Sequence, residues 1–396
     1  MNIRKLRKSE RFDALRLNTS AFGNWPDDLR QEDIEWIVPS ETIGVFVQRK
    51  LAAVLINLTL EQSVRGVIKN MAGVGGVATY PEHRMKGYVK QLMAAAFSDM
   101  HAKSQSVSML APFKESYYEM FDYVSANSNP LVKIPLQAFS HYLVKRDMKN
   151  WEEERVSFDK ARNDFLKFLR NEVAVKHHGF VLIDSRSELV WKQLFKKWEF
   201  VFIKKNKQVV AVARIQKRGF GESGEFFVFD AFWSELEARD RLFNYLAKHR
   251  DQVSRVMFNL PLNENFFQWI RDTQTSFEIK LKAQPWMVRL IDVISAISDI
   301  PVSCGGSVVF SLEDAFCPWN NGSYRIRETG GILNIERCSK LTQNRFTIKG
   351  LSALVYGTLS MGEIIHRRWA DAPDRNDRNI LTQWFPVLPV YSTFYF

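Results

Sequence analysis

The stretch GVGGVATYPEHRMKGYVKQLM, Gly73–Met93, joins a glycine-rich run to an amphipathic one. Its first half, Gly73-Val-Gly75-Gly-Val-Ala78, has the letters of the G-x-G-x-x-A dinucleotide fingerprint. That fingerprint works only where the glycines follow a strand and open a helix, so that a pyrophosphate meets the helix N-terminus. Here the glycines lie inside a strand-like run, Val67–Thr79, which Val77-Ala78-Thr79 continue. Pro81 then holds the helix back to Glu82 or beyond. The context excludes dinucleotide binding, and no G-x-x-x-x-G-K-[ST] exists to form a Walker loop.

Beyond Pro81 the pattern becomes helical. Val89, Leu92, Met93, Ala96, Phe97 and Met100 recur at i, i+3, i+4, i+7, i+8 and i+11, which predicts a helix over Gly87–Ala102. Glycines inside the preceding strand predict a bulge or the close approach of a ligand to the backbone. Gly87 at the helix start leaves free N–H groups facing the favourable end of the helix dipole. Arg84 and Lys86 add positive charge. Strand, turn and helix together read as a pyrophosphate site built from backbone donors, without a metal.

Outward from this stretch, three regions emerge: residues 1–147, 148–284 and 285–396. The first contains strand-like runs at Ile43–Gln48 and Leu51–Leu60, the stretch above, a short strand SVSMLAP and one or two helical turns at ESYYEMF. The second repeats that order. A hairpin turns at Lys205-Asn206-Lys207, a strand EFFVFDAFW follows, then a helix SELEARDRLFNYLAKHR and a strand SRVMFNL. Ser234 and Glu237 predict a capping box for that helix. Nothing like HRMKG separates its strand from its helix, which reads as a duplicated fold with one working copy. The third region opens with a predicted helix WMVRLIDVISAI. Strands and helices follow, then the aromatic tail QWFPVLPVYSTFYF, the texture of a small α+β unit.

The formal net charge is +11 and the isoelectric point about 9.4, which favours an anionic partner. The basic residues are dispersed, with no clustered stripe interleaved with aromatics, so nucleic acid is not expected. No run is long and apolar enough to span a membrane, and MNIRKLRKSERF lacks the apolar centre of a signal peptide; the expected location is the cytoplasm. Cys304, Cys317 and Cys338 are too few and too irregular for a disulfide framework or a zinc site and read as buried thiols. No metal-ligand spacing stands out, and His83 reads as structural.

Arg84-Met-Lys-Gly87-Tyr after GGVATYPEH resembles the R/Q-x-x-G-x-G/A acetyl-CoA motif of the GNAT N-acetyltransferases, with Val89 in the last position. With APFKESYYEMFDYV, MVRLIDV and PWNNGSYRI, the whole chain is similar to the Eis-like (enhanced intracellular survival) branch of that family. The resemblance implies a mixed α/β protein: tandem GNAT folds, one active and one degenerate, followed by a sterol-carrier-protein-2-like α+β domain. It implies acetyl-CoA as cosubstrate, a small-molecule or peptide amine as acceptor (aminoglycosides, polyamines and lysine side chains among them) and a hexameric homo-oligomer. Backbone amides of Val77, Ala78 and Thr79 would meet the pantetheine arm. Arg84, Met85, Lys86, Gly87 and Tyr88 would surround the pyrophosphate. Tyr118 matches the family's general acid, with Tyr117 as the alternative, and Asp122 stands where the family usually has glycine. The terminal carboxylate of Phe396 matches the proposed base, and the apolar tail is expected to dock. Phe22 and Trp36 are candidates for the acceptor pocket, though a core role is equally open to them. The competing expectation is a carrier of hydrophobic ligands acting through the third domain.

Overall fold

The computed structural model describes every residue except 24–30, 128, 184–194, 196, 272–275, 282–284, 341, 343 and 395–396. Three sheets organise the chain. The first runs in the order β1-β2-β3-β4-β5-β15-β6, with β9 beside β3. Its strands are β1 (Asn2–Lys5), β2 (Thr42–Val47), β3 (Lys50–Val64), β4 (Val67–Thr79), β5 (Val107–Leu110), β6 (Val124–Ser125), β9 (Val181–Leu182) and β15 (Met287–Leu290). The second runs β14-β7-β13-β12-β11-β10-β8, from β7 (Pro130–Pro135), β8 (Trp151–Val156), β10 (Glu199–Lys205), β11 (Gln208–Arg218), β12 (Gly221–Trp233), β13 (Val253–Asn259) and β14 (Glu278–Leu281). The third runs β18-β17-β16-β19, from β16 (Ser307–Glu313), β17 (Gly322–Thr329), β18 (Ile332–Arg337) and β19 (Arg345–Thr347).

β2 and β3 are almost continuously apolar because both faces of the first sheet are covered. Helix α2 (Tyr88–Ala102) presses Leu92, Met93, Ala96, Phe97 and Met100 onto one face. The other face packs against α1 (Arg11–Phe22) and the third domain, while the second domain's α4 (Phe158–Phe168) lies on β10 and β11 of the second sheet. Among the described strands of this sheet β4 and β5 form the parallel pair, and α2 is the crossover that such a pair requires. The second sheet repeats the device: β12 and β13 are parallel and helix Leu236–Ala247 joins them.

The β10–β11 hairpin turns through Asn206 (φ 52) and Lys207 (φ 66), both left-handed as a tight two-residue turn demands. Three local expectations are corrected. The segment WMVRLIDVISAI is not one helix; Met287–Leu290 is a strand between β5 and β6, and only Val293–Ile297 is helical, capped by Asp292. A short apolar run has no periodicity to separate strand from helix, and the open slot in the first sheet decides it. Glu235, not Ser234, is the N-cap of helix Leu236–Ala247, and the Ser234 hydroxyl donates to the Val210 carbonyl (3.2 Å). Of the cysteines Cys317 is buried, while Cys304 and Cys338 are half-buried. The sheets also divide the chain differently from the boundaries expected above. β7 already belongs to the second sheet, and β15 returns to the first.

β15 carries a fully buried ion pair. Arg289 Nη2 donates to Asp314 Oδ1 at 2.7 Å, and both side chains have no exposed surface. The same guanidinium donates through Nε to the Phe121 carbonyl (2.9 Å) and lies 4.4 Å from the centre of the Phe97 ring. Asp314 also accepts from the amides of Phe316 and Cys317 and from Asn320 Nδ2. Removing one partner strands a buried charge, which costs about 3–5 kcal/mol. We expect Asp314→Ala to lower unfolding free energy by about that amount in urea titrations, and Asp314→Asn to lose less because it keeps acceptors for the amides.

His178 is buried with Nδ1 accepting from the Arg65 amide (3.0 Å) and Nε2 against the Tyr356 carbonyl (3.1 Å). Burial pushes its pKa down to about 3, and that of neighbouring His177 to about 4. The unfolded chain, with a histidine pKa near 6.5, binds more protons through that window. Stability is therefore complete above about pH 6.5 and is lost as pH falls toward 3. His178 alone accounts for about 2 kcal/mol between pH 7 and pH 5. Urea midpoints at the two pH values should show this fall in the wild type and a correspondingly smaller one in His178→Gln.

Candidate active site

β4 and β5 pair from Met71 with Val107 to Val74 with Leu110, and there β5 ends. β4 continues through Thr79, so its edge from Gly75 to Thr79 has no strand beside it on the β5 side among the described residues. On the other side the register with β3 shifts between Val54 and Ile56, which places a bulge in β4. Gly76 takes φ +54 there, and a Cβ would lie 2.7 Å from Ile56 Cδ1 and 3.0 Å from Asn18 Nδ2. Only glycine fits, and the bulge bends β4 away from β5. The result is a cleft with one wall of open backbone, carrying Val77, Ala78 and Thr79.

The strand leads into a turn at Pro81–His83 and then into α2. Arg84 folds back, with Nε 3.4 Å from the Thr79 carbonyl. Met85 (φ 61) and Gly87 (φ 73) are both left-handed, and Gly87 is the N-cap, with open space where a Cβ would be. No side chain caps the helix, and the amides of Tyr88, Val89 and Lys90 meet no backbone acceptor among the described residues. Arg84, Lys86 and Lys90 are exposed around them. Thr79 Oγ1 and His83 Nδ1 are buried atoms without a hydrogen-bond partner. Orphan donors and acceptors beside an uncapped helix start are what an elongated, phosphate-bearing ligand would satisfy.

Tyr118 lies in α3 (Glu115–Glu119), just past the end of β5. It is buried among Phe113, Tyr117 and Tyr123, with ring centres 5.8, 5.4 and 6.4 Å away. Burial and Tyr117 push its pKa up to about 12. Tyr117 is less buried, and burial raises its pKa too. The Tyr118 carbonyl accepts from the amides of Phe121 and Tyr123, closing a turn in which Asp122 is left-handed (φ 61). Aspartate thus adopts the conformation for which glycine is favoured, and Arg289 holds the turn from beneath through the Phe121 carbonyl. Arg289 was missed in the sequence; an arginine inside the apolar run WMVRLI was the available clue.

The remaining candidates are less connected. Phe22 is the exposed last residue of α1, one turn beyond Asn18, which abuts the Gly76 bulge. Trp36 is half-buried at the end of a short helical turn, Gln31–Trp36. Both flank residues 24–30. Phe396 lies outside the described residues. The tail up to Phe394 is docked and buried from Val390 onward. Asn127 brackets Val390 (3.0 and 2.7 Å), Asn129 donates to the Ser392 carbonyl (2.6 Å), and the Tyr391 amide donates to the His178 carbonyl (2.8 Å).

The second domain has the same divergence without the phosphate loop. β12 passes the end of its pairing with β13, at Val228 with Phe258, and runs on to Trp233. Only Ser234 and Glu235 separate it from the helix, where the first domain has Tyr80–Gly87. Glu235 puts a carboxylate at the helix start and pairs with Lys205 (2.8 Å). The chain's own tail touches both diverging strands: Tyr391 Oη donates to the Asn259 carbonyl (3.1 Å), and Thr393 hydrogen-bonds to Asp230. In the third domain, the cavities described over the sheet are lined by charged groups, Arg327 and Glu336 in one, Lys340, Asp374 and Asp377 in another. Their walls suit polar ligands better than a sterol.

Residues 2–126 match the family description Acetyltransferase (GNAT) domain, residues 184–290 match a second description of the same wording, and residues 293–391 match Sterol carrier protein domain. The chain belongs to the GNAT acetyltransferases. This GNAT protein is 30% identical over 104 residues to an uncharacterised N-acetyltransferase of Streptomyces avermitilis, 26% of this chain and 25% of that protein. It is 32% identical over 77 residues to another from Streptomyces coelicolor, 19% of each chain. The match thus spans a quarter or less of the length of these relatives. The fold is that of a GCN5-related N-acetyltransferase from Anabaena variabilis (TM-score 0.84, 16% identity) and of Eis1 from Mycobacterium abscessus (TM-score 0.80, 16% identity), each covering 100% of both chains. Among the described residues no helix is long and apolar enough to cross a membrane.

GNAT domains imply acetyl-CoA as the cosubstrate, and the open β4 edge, the uncapped α2 start and the orphan atoms of Thr79 and His83 fit its pantetheine arm and pyrophosphate. Valine at position 87 would have to adopt a left-handed backbone that β-branched residues avoid. Gly87→Val should weaken acetyl-CoA binding by about tenfold or more, ~1.4 kcal/mol, measured by calorimetry. Its melting temperature without ligand should also fall by a few degrees, because the left-handed backbone strains valine by about 1–3 kcal/mol even though the position faces open space.

Proposed function

We propose that this protein transfers the acetyl group of acetyl-CoA to an amine by direct attack on the thioester. The observation that carries this reading is the cleft between the diverging β4 and β5, continuous with the uncapped start of α2 and with Tyr118 at its inner end. The arm would lie along Val77, Ala78 and Thr79. The pyrophosphate would take the α2 amides, flanked by Arg84, Met85, Lys86, Gly87 and Tyr88. The amine lone pair attacks the acetyl carbon, the carbon–sulfur bond breaks, and the electron pair leaves on the CoA sulfur. The acceptor nitrogen gives up its extra proton to a base, which we assign to the Phe396 carboxylate on the strength of the family resemblance. The tail is docked as far as Phe394, two residues before Phe396.

Tyr118 is the group we assign to the leaving sulfur. With a pKa near 12 its hydroxyl is protonated throughout the working pH range. A thiol has a lower pKa, near 8.5, so outright transfer from Tyr118 to a settled thiolate is uphill. The role that fits is donation of a hydrogen bond that strengthens as charge develops on sulfur. The acceptor is a small-molecule or peptide amine, and Phe22 and Trp36 are placed as candidates for its pocket. Hexameric assembly and a cytoplasmic location belong to the same proposal.

A thiol-release assay with acetyl-CoA against polyamines, aminoglycosides and lysine peptides tests the activity directly; no release with any of them counts against it. Tyr118→Phe should lower kcat by roughly a hundredfold or more while leaving acetyl-CoA affinity unchanged. Unaltered turnover removes Tyr118 from the mechanism.

A further inference from the structure

A cavity of about 590 Å³ opens where the two GNAT domains, the sterol carrier domain and the tail meet. Its lining contains Arg65, Lys176, His177 and His178 and, among the described residues, no aspartate or glutamate. Arg65 sits in the left-handed turn between β3 and β4 (φ 51). Its Nε donates to the Val355 carbonyl (2.6 Å) and its Nη2 to those of Pro386 (2.8 Å) and Leu354 (3.4 Å). Phe385 lies 5.5 Å away, over the guanidinium. Among the described residues Nη1 donates to no acceptor, and no carboxylate pairs with this arginine. Burial lowers its pKa to about 10. Lys176 is already paired with Glu172 (3.4 Å). A half-buried guanidinium with no counter-charge is costly, and the cost is relieved by an anion. Beside Arg65 the wall is apolar, formed by Val302, Trp384, Leu388 and Pro389. The volume lies in the range of small-molecule sites.

We propose that this junction binds an organic acid, with its carboxylate on Arg65 Nη1 and its apolar body against Val302, Trp384 and Pro389, and that binding holds the tail in place. The tail forms one wall from Pro386 to Tyr391, and its next contacts are the Asn127 and Asn129 bonds that follow β6. An occupant would therefore bridge the β3–β4 turn to the tail. This inference does not depend on the transferase reading.

The test uses the full chain in low-chloride buffer with decanoate, 1-decanol and inorganic phosphate as probes, read by calorimetry and by hydrogen exchange of residues 386–394. Decanoate should bind, and decanol and phosphate should each bind at least roughly tenfold more weakly, since each supplies half of the match. Arg65→Gln should weaken decanoate by a similar factor. Should that variant fail to fold, Ser303→Glu decides. Ser303 is an exposed lining residue, so its carboxylate would compete for the arginine without removing any Arg65 contact. No decanoate binding, equal binding of decanol or phosphate, or undiminished binding by the folded variants would overturn the site. Decanoate binding without slower exchange in the tail would overturn the coupling.

Discussion

The buried pair of Arg289 and Asp314 ties together parts of the chain that have no sequence proximity. Arg289 lies on β15, which arrives from the end of the second domain and fills the slot between β5 and β6 of the first. Asp314 follows the first strand of the sterol carrier domain. Their ion pair reaches the turn that presents Tyr118 through the Phe121 carbonyl. A charge with no exposed surface tolerates little displacement, because every lost hydrogen bond leaves a desolvated group behind. The geometry of the Tyr118 turn therefore depends on the third domain being in place. Lys349, at the start of the helix Ile348–Val355, adds a weaker tie to Glu119 in α3 (3.3 Å).

The two GNAT domains share one device, a parallel strand pair that diverges at a bulge, and use it differently. In the first, the diverging edge has no strand beside it on the β5 side among the described residues and leads to an uncapped helix start with exposed cations. In the second, the loop is cut to Ser234-Glu235 and a carboxylate stands where a phosphate would need positive potential. Tail residues contact both strands of that second divergence. A buried pair, Arg214 with Asp230 at 2.5 Å, lies there too, with Arg214 packed 4.2 Å from the centre of the Phe229 ring. The degenerate copy has become a seat for the chain's own tail.

Much of this was legible in the sequence where local rules decide. β4 has the bounds expected for it, α2 follows its helical period, and Pro81 delayed the helix as its ring geometry requires. The Asn206-Lys207 turn followed from its flanking apolar strands. What was hidden depends on distant partners. Met287–Leu290 reads as the start of a helix until the slot between β5 and β6 is known. Ser234 has the right chemistry for a cap but is held by the Val210 carbonyl, so Glu235 takes the position. Asp122 seemed a poor substitute for glycine, yet the backbone there is left-handed all the same. Within the site, the uncapped helix start behind Gly87 was readable because a single glycine after Pro81 marks it. Arg289 was not, because its partners come from elements more than twenty residues away on either side.

The placement of charge follows from the chemistry proposed. On that proposal the phosphate end would use exposed cations and helix amides, which attract an anion without binding it irreversibly in water. The sulfur end would use a neutral hydroxyl in an aromatic nest. A fixed cation there would stabilise thiolate product as much as the transition state and slow its release, whereas a buried tyrosine offers a dipole that responds to the charge as it forms. Burial keeps that hydroxyl protonated, and the Tyr118 carbonyl bonds to the Phe121 and Tyr123 amides fix the turn that carries it. An open edge for the arm, diffuse charge for the phosphates and a neutral donor for the sulfur are three separate demands. On the proposed reading the chain would meet them in order along β4, α2 and α3.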